Sequence, residues 1–138
     1  MELPKELEAL KQFHGHLGPF VVAGYVAGKV ALERLGARRY FGMRVHLRCP
    51  PQPPASCLAD GLQFSTGCTL GKRNITLEPS ESIIITCEST DSGGRVVLRL
   101  PDETKAAFPQ WIEEMGEEQA SLRVWDAGAG LFQVEASG

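Results

Sequence analysis

Residues 20–36, FVVAGYVAGKVALERLG, are apolar almost throughout and decide how the rest of the chain has to be arranged. The run predicts a helix from about Phe20 to Leu35, closed by Gly36 at the position where helices commonly end on glycine. Ala23, Ala27 and Ala31 form one row of small residues, and Gly24 and Gly28 form a second beside it. A glycine inside a helix costs about 1 kcal/mol relative to alanine, so two of them call for compensation. Close approach of another backbone supplies it. The segment therefore reads as the central helix of the fold and, being hard to cover within 138 residues, as a contact between protomers.

Upstream, Pro4 to Phe13 reads as a short amphipathic helix carrying Leu7, Leu10 and Phe13, and the loop HGHLGP joins it to the central helix. Downstream, Met43 to Arg48 alternates like a strand, and CPPQPPAS is a rigid connection in which no helix can run. Ser56 is placed to cap a helix from Cys57 to about Ser65, stopped by Gly67. Strands are expected at Ile75 to Glu78, Ser82 to Glu88 and Val96 to Leu100, with DSGG turning between the last two. Asp102 caps a helix to about Met115, Gly116 interrupts, a further helix reaches about Asp126, and Leu131 to Val134 closes the sheet. Helices at both ends and strands between them give an α+β fold in one domain, 1–138. Its largely antiparallel sheet packs against the long apolar helix and flanking helices.

A net charge of −3 and a pI near 5.6 exclude a general polyanion binder, so neither nucleic acid nor an anionic membrane is expected as partner. No secretory leader opens the sequence, and Pro19 to Leu32, interrupted by Lys29, is short of the roughly 20 apolar residues that cross a bilayer. A cytoplasmic protein is expected. Its four cysteines, with no CxxC pair, read as thiols or metal ligands rather than a disulfide framework.

Chemistry concentrates in FHGHLGPF (13–20) and CLADGLQFSTGCTLGKRNI (57–75). His14 and His16 flank Gly15 just before a helix start, where both imidazoles can reach one ion; helix capping or a buried carbonyl is the plainer use of either. Cys57 and Asp60 share a helical face, and Cys57 opens its helix, where the dipole favours thiolate. Cys68 lies eleven residues after Cys57. An unbroken helix would part them by about 16 Å, so one ion can take both only if the chain folds back at Gly67 or two protomers contribute. Cys49 and Cys87 read as structural thiols. GCTLGK is one residue short of a phosphate loop and has Arg73 where Ser or Thr belongs, so that reading fails. The backbone N–H groups of its glycines, with Lys72 and Arg73, could still attract a small anion.

Taken together, HGH before a glycine-bearing helix and CxxDGLQ running into TGCTxGKxN resemble the signature segments of the FmdE family, the E component of formylmethanofuran dehydrogenase and its relatives. The likeness covers nearly the whole chain. It implies an α+β core, intertwined homodimers, and a core-only member without the C-terminal zinc finger some members carry. Many members read HGHxCPG; Gly18 stands here at the cysteine position, as in a subgroup reading HGHLGPF. The family name reflects gene association with a molybdenum or tungsten enzyme of one-carbon metabolism.

The expected site is a transition metal, zinc by the mix of imidazole and thiolate, on His16, Cys57 and Cys68, with His14 or Asp60 completing the shell. Two uses stay open: a metal- or thiol-dependent catalyst on a small anionic or carbonyl substrate, with Cys68, Asp60 and Lys72 as catalytic residues, or a metal-binding or metal-sensing accessory module. A purely structural dimer is the third.

Overall fold

The computed structural model describes residues 2–137. Helix α1 spans Lys5–His14 and α2 Pro19–Leu35; β1 is Met43–Cys49; α3 is Leu58–Thr66; β2, β3 and β4 are Ile75–Pro79, Ile83–Ser89 and Arg95–Leu100. Two further helices, α4 (Asp102–Met115) and α5 (Glu117–Ala127), precede the last strand, β5 (Gln133–Ser137). The sheet order is β2-β1-β3-β4-β5, antiparallel except for the β1–β2 pair. That parallel pair follows from α3: a helix between two strands carries the chain back to the starting end of the sheet. The α+β expectation holds.

One sheet face is apolar and fully buried, with Met43, Val45 and Leu47 of β1 beside Ile83, Ile85 and Cys87 of β3 and Val96 and Leu98 of β4. The other carries Arg44, Arg48, Glu88, Arg95 and Arg99 into solvent, which is the alternation that period two demands. Helix α2 packs on β3 and β4 and is flanked by α3 and α5. Every residue from Pro19 to Gly28 is buried.

The glycine row needs no second copy. A Cβ at Gly24 would stand 2.1 Å from the Leu58 carbonyl oxygen, and one at Gly28 would stand 2.0 Å from Ser65 Oγ. Reciprocally, a Cβ at Gly61 would meet Val21 O at 2.0 Å. The two helices thus touch backbone to backbone at Gly24 and Gly61, while Gly28 makes room for the Ser65 and Thr66 side chains. The close approach foreseen for α2 is made by α3 of the same chain, so the need to cover α2 is no longer a reason for a dimer.

Smaller departures have local causes. Ser56 does not cap α3: it lies within a 3-10 turn, Ala55–Cys57, that feeds the helix, and Cys57 occupies the cap without a side-chain bond. Pro101, not Asp102, precedes α4. Leu131 ends a 3-10 turn, so the last strand starts at Gln133.

Candidate functional site

The α1–α2 connection is built by one glycine. Gly15 sits at φ 104, left-handed, and its N–H closes α1 on Lys11 O at 2.7 Å. The turn sets His14 at the end of one helix and His16 just ahead of the next, with ring centroids 4.8 Å apart. Between them and α4 lies a cavity of about 180 Å³, lined by both histidines, Cys57, Glu117 and apolar side chains including Phe20, Phe108 and Ile112.

Each imidazole is held by a carboxylate. His14 Nδ1 donates to Asp60 Oδ2 at 2.6 Å, and His16 Nδ1 donates to Glu117 Oε1 at 3.0 Å. Asp60 lies in the first turn of α3, and Glu117 begins α5 directly after Gly116. Acidic groups are favoured at such helix starts by the partial positive charge there. With both Nδ1 atoms bonded, the Nε2 atoms are the ones left to act. His14 Nε2 is buried and has no hydrogen-bond partner, and the side chain as a whole is 9% exposed.

The donor types here are ones a transition metal takes. Two imidazoles on one tetrahedral ion, each bound at 2.0–2.1 Å with about 1.1 Å more to the ring centre, put their centroids roughly 5 Å apart. Carboxylates on the distal nitrogens are the usual support for histidine ligands. The set is not closed. Among the described residues, no three His, Cys, Asp or Glu side chains converge closely enough as they stand to hold an ion. Cys57 is on the cavity wall with the two histidines. Its thiol is pushed up by burial and then by the Asp60 charge, against the dipole expectation; burial and a neighbouring anion outweigh one helix end.

Cys68 does not belong to this grouping. It follows the left-handed Gly67, beyond the nine-residue helix α3 that separates it from Cys57. Its thiol is buried and donates to Met43 O at 3.2 Å, and burial raises its pKa, with Thr66 and Lys72 opposing. The predicted set of His16, Cys57 and Cys68 is therefore not assembled within one chain. Lys72 is also elsewhere, with Nζ 5.6 Å from the centre of the Tyr40 ring. Most of the loop's N–H groups are engaged within the chain: Gly67 N on Gln63 O, Cys68 N on Thr66 Oγ1, Thr69 N on Asn74 Oδ1, Leu70 N on Gln63 Oε1, Lys72 N on Thr69 Oγ1 and Arg73 N on Thr69 O. Little of a backbone anion nest is left, and an anion here has to be met mainly by side chains. Cys49 and Cys87 lie on the buried sheet face, and burial pushes Cys87 up to about 12.

One residue was invisible from sequence. Glu117 lies outside both motifs, 101 residues from His16, and only the α5 start brings it in. Gly18 is on the same wall; a Cβ there would rest 3.7 Å from Glu117 Oε2 and 3.8 Å from His16 Cε1.

A family model described as "FmdE, Molybdenum formylmethanofuran dehydrogenase operon" matches residues 13–132. A protein of Archaeoglobus fulgidus named "Probable S-adenosyl-L-methionine-binding protein" is 35% identical over 80 residues, an alignment covering 54% of this chain and 20% of that protein. The chain thus spans about one fifth of that relative's length. A crystal structure of an FmdE-like protein from Syntrophus aciditrophicus, described as related to tungsten formylmethanofuran dehydrogenase, superposes with a TM-score of 0.64 at 21% identity. The superposition covers 95% of this chain and 69% of that one, and at this identity it speaks to the fold.

Proposed function

The chain belongs to the FmdE family, and from that premise we propose that it binds a zinc-class metal through His14, His16 and Cys57 and acts on a small carbonyl compound. The observation that carries the reading is His14 Nε2, buried and unpartnered while Asp60 holds Nδ1. A buried polar atom without a bond costs about 1–3 kcal/mol, and a metal bound there removes that penalty. Asp60 fixes the tautomer that leaves Nε2 as a bare lone pair, and Glu117 does the same for His16. A zinc-class ion in this position supplies Lewis acidity toward a carbonyl oxygen.

The substrate class follows from the walls. About 180 Å³ with mostly apolar lining suits a molecule of few heavy atoms. Asp60 and Glu117 offset the charge of a bound divalent ion, and Lys72 is not present to add positive charge. An uncharged carbonyl compound fits better than an anionic one. All four thiols are shifted upward by burial, which weighs against thiol-dependent catalysis. The relative's S-adenosylmethionine is larger than this cavity accommodates, since pockets for ligands of that size start at about 300 Å³.

Elemental analysis of protein purified without an affinity metal, before and after incubation with zinc, tests the reading. One zinc per chain is expected in the wild type and in a His46→Gln control, and its loss in His14→Gln. Full occupancy in a folded His14→Gln protein overturns it.

A further inference from the structure

The segment TGCTLGKRN, residues 66–74, takes no part in the histidine cavity, yet several of its residues converge on one neighbour. Tyr40 sits at φ 70, a left-handed conformation that a bulky aromatic rarely adopts. Asn74 Nδ2 donates to the Tyr40 carbonyl at 2.7 Å, and the Cys68 thiol lies 3.7 Å from the same oxygen. Gly67 is required beneath the ring, because a Cβ there would stand 2.4 Å from Tyr40 Cδ1. Strain of this kind persists where the surroundings over-determine it, and such positions cluster at ligand sites.

The ring so held lines a cavity of about 600 Å³, together with the aromatic rings of Phe13, Tyr25 and Phe64. The volume is in the ordinary range for small-molecule sites. Two cations stand on the Tyr40 side. The Arg39 guanidinium is 4.6 Å from the ring centre and Lys72 Nζ is 5.6 Å from it. Neither forms an ion pair among the described residues, whereas Lys29, which also lines the cavity, is matched by Glu6. Arg39 is fixed in place, donating to Ser65 O and Phe64 O. Lys72 is tethered only to Thr69 Oγ1 at 3.4 Å and remains free to follow a ligand.

We propose that this second cavity binds a small aromatic anion, its flat ring among the aromatic side chains and its carboxylate, sulfonate or phosphate at Lys72 and Arg39. The site is separate from the histidine cavity and stands without it. In this reading the second signature segment is a scaffold: Gly67, Cys68 and Asn74 hold Tyr40, and Lys72 supplies charge. Fluorescence titration with 8-anilinonaphthalene-1-sulfonate, an aromatic anion, tests it on the whole chain. Saturable binding at one site per chain is expected. Lys72→Gln should raise its Kd about tenfold, the loss of one charge-assisted contact, and Arg48→Gln on the exposed sheet face should leave it unchanged. The neutral analogue N-phenyl-1-naphthylamine should bind more weakly and be indifferent to Lys72→Gln. Absence of saturable binding, equal Kd values for wild type and Lys72→Gln, or equal affinity for the neutral analogue overturns the proposal.

Discussion

At Asp60 and Gly18 the exposure and the space available allow the surroundings of the histidine pair to be altered with little effect on packing. Asp60 is 41% exposed and its side chain bonds to His14, so Asp60→Asn should leave the melting temperature nearly unaltered. Loss of a carboxylate behind a ligating imidazole typically weakens metal about 10- to 100-fold, and competition against a chelator of known affinity reads this directly. Gly18 has extended backbone, φ −146, and ordinary contact distances for a Cβ. Gly18→Cys should therefore fold and tighten metal, because a thiol would enter beside His16 and Glu117; unchanged affinity would show that the added thiol does not reach the ion. The sequence made His14, His16, Cys57 and Asp60 legible as one neighbourhood, since two short motifs hold them. It held no sign of Glu117, which contacts His16 through tertiary packing alone. It also drew Cys68 into the same site, although the nine-residue helix α3 lies between the two cysteines.

Among the elements, α2 and α3 act as one unit, because their glycines let the backbones touch. Gly61→Ala gains about 1 kcal/mol in helix propensity but forces a methyl to within 2.0 Å of the Val21 carbonyl oxygen. Overpacking of this kind costs about 1–3 kcal/mol and occasionally more, and backbone on both sides cannot give way as a side chain can. A net loss of about 2 kcal/mol is expected from urea unfolding. Gly130→Ala, with nothing within 4 Å of its added Cβ, should stay within about 0.5 kcal/mol. The α2 pattern revealed that another backbone comes close, but not whose, because a row of small residues fits a helix of the same chain and of a second copy equally well. Strand positions were readable from alternation, with β1 and β3 close to their expected limits. The parallel pairing of β1 with β2 was not, because it depends on where α3 returns the chain.

At the scale of the whole molecule, four thiols within or beside one core make the protein sensitive to alkali. Cys87 is raised by burial to about 12 from an ordinary value of 9.0. A raised acid keeps its proton in the folded state while the unfolded chain releases it, so stability is intact below about pH 9 and declines from there toward pH 12. Each unit in that window costs about 1.4 kcal/mol for Cys87; Cys87→Ala should make the decline in urea midpoints between pH 8 and pH 11 shallower. The homodimer expected from the family likeness no longer has support from α2, and light scattering reads it alone: twice 15.0 kDa is expected, and 15.0 kDa ends it. The central claim, a metal on His14, His16 and Cys57 with Cys68 outside, is met most directly by cobalt(II) substitution. A thiolate-to-cobalt charge-transfer band is predicted in the wild type, persisting in Cys68→Ser and vanishing in Cys57→Ser. A band that survives Cys57→Ser, or that is lost only with Cys68→Ser, contradicts it.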